Sequence, residues 1–332
     1  MPKPFPPIGR RRALQGSAAA FVAFGLLLWW LLPIGERSPG GDVTFSTGSQ
    51  KGVYQQYGGL LKDALAEDMP SLDVRLWESE GSQENVERVA TGQADFTIAA
   101  ADAVAKYRLD QRSGWGRLRG CARLYDDYVQ LVVPRASSVH SVADLEGKKV
   151  AIGQPGSGVR LISERILVAS GLDPNKDIKA VSSSIATMSE QLRRGEIAAF
   201  FWSGGLPTGA VASLAETFDI RLVPLGGDLV EKLHKQGGVS VYYRAADIPA
   251  DAYKEVQEGQ AVQTVAVANI LVTRAGVDTK LTERFTRTVI DSRDSIGQEV
   301  HSAQLVDLRT AIYTDPLELH EGAARYYRSV KP

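Results

Sequence analysis

The spacing of apolar residues predicts that strands and helices alternate from residue 43 onward. Apolar and polar residues alternate over residues 72–77, whereas apolar residues recur at helical spacing over residues 54–67. Further strands are predicted at residues 43–47 and 96–100, with a helix at residues 83–91 between the second and third strands. This βαβαβ order is typical of a mostly parallel sheet with helices on both faces.

The same alternation begins again after residue 127. Strands are predicted at residues 128–133, 149–152, 178–181, 198–202 and 221–223, and helices at residues 159–169 and 187–194. The remaining predicted elements are strand-like runs at residues 239–243 and 262–272 and helices at residues 279–293 and 322–330. We therefore expect an α/β fold with two α/β lobes around a central ligand cleft.

The chain is expected to leave the first lobe and to return to it. Residues 42–130 together with 240–332 form the predicted lobe 1, and residues 131–239 form the predicted lobe 2. The two crossing segments, near residues 125–135 and 238–243, are the predicted hinge.

Residues 1–41 differ from the rest, because basic residues precede an apolar run of 17 residues at 18–34. That length is about 25 Å as a helix, and the order of charge and apolar run is that of an export signal or membrane anchor. A good small-x-small cleavage site is missing, since Ser38-Pro39-Gly40 is a poor candidate, and this favours an uncleaved anchor over a cleaved signal. The remainder of the chain is then predicted to be extracytoplasmic, tethered to the cytoplasmic membrane by residues 18–34.

Composition excludes several classes of protein. The chain has 332 residues, 44% hydrophobic and 23% charged, as in ordinary globular proteins. Its net charge of −1 gives no field that attracts nucleic acid, so no nucleic-acid partner is expected. A single cysteine, Cys121, excludes an intrachain disulfide and a cysteine zinc cage.

Two strand-to-helix turns carry the candidate binding residues. The first contains Thr47, Gly48 and Ser49 and leads into a helix at Tyr54; the second contains Gly156, Ser157 and Gly158. Glycines let a backbone approach a ligand, and helix N-termini favour anionic groups. One such turn in each lobe predicts that a carboxylate-bearing solute is held between them.

Four other residues follow predicted strands and are candidate ligand contacts. Ser82 and Asn85 open a helix, where capping is an equally good explanation, with Ser82 as the N-cap. Asp102 follows the strand at 96–100, where it either binds a ligand amino group or caps the next helix. Trp202 ends a strand of the second unit and is either a cleft wall or a core residue.

Arrangements for catalysis or metal binding are not evident in the sequence. The four histidines are scattered, and no nucleophile elbow or Ser-x-x-Lys motif occurs. Asp126 and Asp127 are adjacent, so as strand residues they point to opposite faces, and we expect one to be exposed and one structural. The sequence therefore predicts no catalytic residues, no metal and no cofactor.

Short motifs in a fixed order resemble the TAXI-type solute-binding proteins of tripartite ATP-independent periplasmic (TRAP) transporters over residues 43–328. The matching stretches are Ser46-Thr47-Gly48-Ser49, Gly52-Val53-Tyr54, Ser82 with Glu84-Asn85, Gly92-Gln93-Ala94-Asp95, Leu145-Glu146-Gly147-Lys148-Lys149-Val150, Gly153 with Pro155-Gly156-Ser157-Gly158, Leu319-His320, Gly322-Ala323 and Tyr326-Tyr327.

The resemblance implies a type II periplasmic-binding-protein fold and a role as the solute-binding subunit of a TRAP-type transporter. It implies capture of a small organic acid or amino acid, such as glutamate or 2-oxoglutarate, and delivery to a membrane permease. Site roles carry over to Thr47, Gly48, Ser49, Tyr54, Ser157 and Gly158. The alternative is a membrane-tethered ligand sensor of the same fold without a role in transport.

Overall fold

The structure is a computed structural model that describes residues 39–330, which belong to one compact unit. The predicted anchor at residues 18–34 lies outside the described residues. Within residues 39–330, every helix is too short or too polar to cross a membrane.

Strands and helices alternate along most of the described chain. The strands are β1 (Gly41–Ser46), β2 (Leu72–Trp77), β3 (Phe96–Ala100), β4 (Leu118–Pro134), β5 (Lys149–Ala151), β6 (Lys179–Val181), β7 (Ala199–Gly204), β8 (Ile220–Val223), β9 (Tyr243–Ile248) and β10 (Val262–Arg274).

Helices connect most of these strands and follow the last one. They are α1 (Val53–Asp68), α2 (Ser82–Thr91), α3 (Ala101–Leu109), α4 (Gly158–Ala169), α5 (Ile185–Arg193), α6 (Gly209–Thr217), α7 (Leu229–Lys235), α8 (Lys254–Gln257), α9 (Thr279–Asp291), α10 (Arg293–Ile296), α11 (Leu308–Ala311) and α12 (Glu321–Val330). Short 3-10 helices lie at Trp115–Arg117, Ala143–Leu145, Gly238–Tyr242 and His301–Leu305.

The sheet consists of two halves that share the long strand β4. The first half has the order β2-β1-β3-β10-β4, with β1 parallel to β2 and β3 and with β10 antiparallel to β3 and β4. The second half repeats the order as β6-β5-β7-β4-β8, in which β5 is parallel to its two neighbours and β4 is antiparallel to β7 and β8. This arrangement confirms the predicted α/β fold with two halves of like topology.

Each half of the sheet has its own apolar core. In the first half, the ring of Phe285 on α9 stacks on Phe96 at 4.1 Å between ring centroids, beneath β1 and β3. In the second half, Phe200 and Phe201 of β7 are both fully buried. Successive residues of one strand can both be buried only where both faces of the sheet are covered.

The structure differs from the sequence-based expectations at several elements. The strand predicted at 128–133 is part of β4, which begins ten residues earlier at Leu118. The helix α3 was not predicted, and the strand-like run at 239–243 is a 3-10 helix that reaches β9 only at Tyr243. The lobe boundaries and the hinge stay predictions, although β4 covers all but the last residue of the first predicted crossing segment.

Candidate functional site

A cavity of about 680 Å³, partly continuous with solvent, lies between the two halves of the sheet. Both predicted turns border it, so Ser49 of the first turn and Ser157 of the second share one cavity. Eight of the eleven predicted site residues line it; Thr47, Asn85 and Gly156 do not. Their roles in ligand binding stay predictions.

The first turn connects β1 to α1 and presents Gly48, Ser49 and Tyr54 to the cavity. A Cβ on Gly48 would lie 3.2 Å from Cβ of Tyr54, so a larger residue would be crowded where the turn folds against the helix. Thr47 is fully buried beneath the turn, where its hydroxyl donates to the side chain of Gln55. Its side chain therefore supports the turn and does not line the cavity.

The second turn connects β5 to α4. Ser157 is the N-cap of α4, because its Oγ accepts a hydrogen bond from the Arg160 amide at 3.0 Å. The same hydroxyl donates to the Gln154 carbonyl at 2.6 Å. Ser157 and Gly158 line the cavity at the N-terminus of α4, where the helix dipole is positive.

The two halves touch at the mouth of the cavity. The Glu84 amide donates to the Gly156 carbonyl at 3.1 Å, and Gln83 Nε2 donates to the Ser157 carbonyl at 2.7 Å. Gly81 has a φ of +129°, and a Cβ there would lie 3.4 Å from Cα of Ser157. Gly156 therefore joins the two halves of the molecule through its carbonyl, which explains why it does not line the cavity.

Ser82 and Asn85 lie on α2 with different roles. The prediction that Ser82 caps the helix is wrong: Gly81 is the N-cap, and Ser82 Oγ accepts from the Ala100 amide at 3.1 Å and bonds Tyr54 Oη at 3.0 Å. Asn85 is fully buried, and its amide donates to the carbonyls of Thr47 and Ile98 at 2.6 and 3.0 Å. Asn85 thus holds the turn after β1 in place through its hydrogen bond to the Thr47 carbonyl.

Asp102 lines the cavity from the first turn of α3 and is only 1% exposed. Its carboxylate accepts hydrogen bonds from the Tyr243 hydroxyl at 2.9 Å and from the Ala103 amide at 2.8 Å. Burial raises the pKa of Asp102 to about 6, although these two hydrogen bonds act in the opposite direction.

Asp127 on β4 also lines the cavity, and the sequence analysis did not identify it as a site residue. Its carboxylate accepts from Asn269 Nδ2 at 2.7 Å and from Tyr54 Oη at 3.3 Å. Burial raises the pKa of Asp127 to about 7, and the nearby Asp102 and Asp126 carboxylates add to the rise.

The expectation that one of the two adjacent aspartates is exposed is wrong. Asp126 is 7% and Asp127 4% exposed. Asp126 forms ion pairs with Arg123 at 2.8 Å and with Arg244. The two side chains do point to opposite faces of β4, but β4 is an inner strand covered on both faces, so alternation does not bring either of them to solvent.

Trp202 on β7 lines the cavity and is 9% exposed. Its indole Nε1–H is buried and has no hydrogen-bond partner among residues 39–330. A Cβ on Gly204 would lie 2.6 Å from this nitrogen, so the indole folds over Gly204 at the carboxyl end of β7. A buried donor without an acceptor is costly, and an acceptor on a ligand would satisfy it.

The charged groups that line the cavity are all acidic. They are Glu80, Asp102 and Asp127, and no lysine, arginine or histidine of the described residues is among the lining side chains. An anionic group in this cavity would therefore be held by N–H groups, hydroxyls and the N-termini of α1 and α4.

Further lining residues follow a rule that could have identified them from the sequence. Ser183 and Ser184 follow β6, and Ser203 and Gly204 end β7. The carboxyl ends of parallel strands in open sheets are where ligands bind. Applied to every predicted strand, the same rule points to these four residues as well.

Residues 39–330 offer no group of three or more His, Cys, Asp or Glu side chains arranged to hold a metal ion. The thiol of Cys121 is fully buried, and burial raises its pKa well above the usual range, so it is not a nucleophile at neutral pH.

The sequence profile of the NMT1-like family matches residues 45–330. The chain is also similar to three solved structures of low sequence identity. The alkanesulfonate-binding protein SsuA from Xanthomonas axonopodis pv. citri, bound to MOPS, is 18% identical over 89% of this chain and 86% of that chain, with a TM-score of 0.49. The periplasmic aliphatic sulphonate binding protein SsuA from Escherichia coli is 14% identical over 89% and 84%, with a TM-score of 0.45. A putative L-cystine ABC transporter from Listeria monocytogenes is 14% identical over 79% and 97%, with a TM-score of 0.49.

Proposed function

Because the chain belongs to the NMT1-like family, we propose that it is an extracytoplasmic solute-binding protein that captures a small organic acid or amino acid and delivers it to a membrane permease. The observation that carries the proposal is the cavity shared by both halves of the sheet, with Ser49 on one side and Ser157 on the other.

The contacts at the mouth of the cavity supply the mechanism. Glu84 and Gln83 of the first half bond to Gly156 and Ser157 of the second half, so these bonds exist only while the halves are together. A solute that contacts both halves stabilises this closed arrangement over an open one. The closed form is then what a permease recognises.

The permease is proposed to be of the TRAP type, on the strength of the motifs shared with TAXI-type proteins. A tether formed by residues 18–34 would keep the binding protein close to that permease in the membrane. Genes for a TRAP-type permease beside the gene for this chain would support this partner, whereas a neighbouring sensor kinase gene would favour the sensor.

The proposed function is binding and not catalysis. The carboxylates of Asp102 and Asp127 accept hydrogen bonds from Tyr243, Tyr54 and Asn269. No nucleophile–base pair lies among the lining residues that the structure describes.

Thermal denaturation of the full chain, purified in a mild detergent, tests the proposal. A solute that binds the folded state alone raises the melting temperature in proportion to the logarithm of its concentration. We expect such a rise with at least one compound among the standard amino acids, 2-oxo acids and dicarboxylates. A flat melting temperature across all three series would contradict the proposal.

A further inference from the structure

We infer that the solute carries an ammonium group beside its carboxylate, as an amino acid does, and that Asp127 and Asp102 face the ammonium while the Trp202 indole N–H faces the carboxylate. This inference rests on the proposed function and narrows its ligand class.

Among the residues that the structure describes, no cationic side chain lines the acidic side of the cavity. Asp127 is 4% exposed, and its hydrogen bonds come only from the neutral side chains of Asn269 and Tyr54. A buried carboxylate is unfavourable unless it is paired. An ammonium group on the solute would provide the missing positive charge and three N–H donors.

Asp102 lines the same cavity and likewise accepts hydrogen bonds from neutral groups, the Tyr243 hydroxyl and the Ala103 amide. Arg165 on α4 acts on Asp102 through its charge, as the smallest of the effects on the pKa of that carboxyl, and it does not line the cavity. The negative charge of Asp102 makes ionisation of Asp127 less favourable, and an ammonium between the two carboxylates would offset this effect.

The hydrogen-bond donors that face the cavity belong to other residues than these carboxylates and are a separate observation. The Trp202 Nε1–H is buried without a partner in the described structure, and the residue is 9% exposed. The N-termini of α1 and α4 border the same space. A carboxylate would satisfy the indole donor and would lie in the favourable end of both helix dipoles.

The acidic lining groups and the single unpartnered indole donor together argue against a solute that has two carboxylates and no amine. Such a solute would bring two negative charges next to Glu80, Asp102 and Asp127, with no basic side chain of residues 39–330 among the lining groups. Like charges at close range in a low-dielectric site are strongly unfavourable.

The test compares each amino acid with the 2-oxo acid that carries the same side chain, because the pair differs only at the amine. If the inference holds, one or more L-amino acids will raise the melting temperature of the full chain. The matching 2-oxo acids will change it little or not at all. Stronger stabilisation by 2-oxo acids than by amino acids would overturn the inference and leave the proposed function intact. No stabilisation by either series would overturn the inference, and a flat melting temperature with the dicarboxylates as well would overturn the proposed function too.

Two variants separate the roles of the two sides. Asp127→Asn is expected to weaken binding of the best amino acid about a hundredfold, the effect of removing one partner of a buried charge pair, and to abolish the preference over the 2-oxo acid. Trp202→Phe keeps an aromatic side chain but loses the N–H donor. It should therefore weaken binding of both compounds and retain the preference for the amino acid over the 2-oxo acid. Asp126→Asn is the matched control, since Asp126 pairs with Arg123 and Arg244 away from the cavity lining, and it should leave the preference unchanged.

The pH dependence of amino-acid affinity distinguishes contact between Asp127 and the ligand from a purely structural role. A purely structural role would leave this dependence unchanged. The charged and titratable groups around Asp127 are Tyr54, Tyr125, Asp126 and Asp102, and those around Asp102 are Tyr243 and Arg165. An ammonium favours the ionised carboxylates, so affinity for the amino acid should rise from pH 5 and level off above pH 7. A profile that is flat or falling in the wild-type chain, or one that Asp127→Asn leaves unaltered, would contradict the inference.

Discussion

At the scale of single residues, Asp127 shows how a buried acid links stability to pH. Burial raises its pKa to about 7 in the folded chain, whereas an aspartate in an unfolded chain has a pKa of about 4. Between these values the folded state holds a proton that the unfolded state has lost. The free energy of unfolding of the solute-free protein should therefore fall as the pH rises from about 4 to about 7.

Asp127→Asn removes this ionisation and should flatten that fall. At pH 8 the variant should melt a few degrees higher than the wild type, because it no longer buries a charge. Chemical denaturation at several pH values measures the slope. Asp126→Asn is the control and should melt lower, because it breaks the ion pairs of the buried Asp126 with the partly buried Arg123 and the exposed Arg244. An equal slope in wild type and Asp127→Asn would contradict the assignment.

Gly204 matters because of the space it leaves for Trp202. An alanine there would place its Cβ 2.6 Å from the indole nitrogen and displace the ring. Overpacking of this kind costs about 1–3 kcal/mol, so we expect Gly204→Ala to weaken solute binding about tenfold or more. Gly209→Ala is the matched control, since nothing lies within 4 Å of a Cβ at that position. Calorimetric titration of both variants with the stabilising amino acid checks this, and equal affinities would count against the placement of the indole.

At the scale of elements, capping decides the stability of the helix that carries the second turn. Ser157 accepts a hydrogen bond from the Arg160 amide, whereas Ser184, the N-cap of α5, accepts none from the backbone. Ser157→Ala should therefore lower the free energy of unfolding of the solute-free protein by about 1 kcal/mol. Ser184→Ala should cost clearly less. Urea denaturation distinguishes the two, and equal losses would show that the cap does not stabilise α4.

The sequence predicted those elements in which the pattern of apolar and polar residues matches the pattern of buried and exposed faces. β2 was predicted with its observed bounds, Leu72–Trp77, because only one face of it is buried and the alternation is clean. The helix α3 was missed because it is buried on most sides, and its alanines give no polar face to mark a helical period. Gly237 and Gly238 both have a positive φ, which explains why the following apolar run forms a 3-10 helix and not a strand.

Site residues in local turns could be predicted from the sequence. Site residues whose position depends on strand pairing could not. The turns around Ser49 and Ser157 are local features, and the structure brings both to one cavity. Asp127 was missed because its place depends on β4 being an inner strand of the sheet, which pairs residues far apart in the chain. The position of the Trp202 indole depends likewise on Gly204 and on the neighbouring strand, and no local pattern reports it.

At the scale of the whole molecule, the proposed function requires a solute enclosed between the two halves of the sheet. A Cβ on Gly156 would lie 3.8 Å from Cβ of Glu84, the separation of a disulfide. The only native cysteine, Cys121, is fully buried, so a new pair would not compete with an exposed thiol. Residue 156 has a φ of +86°, which costs a cysteine about 1–2 kcal/mol but leaves the cavity lining untouched.

The most direct measurement is the retention of a radiolabelled amino acid by the double variant Glu84→Cys with Gly156→Cys. The variant is loaded with the amino acid that most stabilises the wild type, oxidised, and passed over a desalting column before and after reduction. We predict that the oxidised protein retains about one label per chain and releases it on reduction, while each single-cysteine variant loses its label in both conditions. Loss of the label from the oxidised double variant, or release that does not depend on the disulfide, would contradict binding between the two halves.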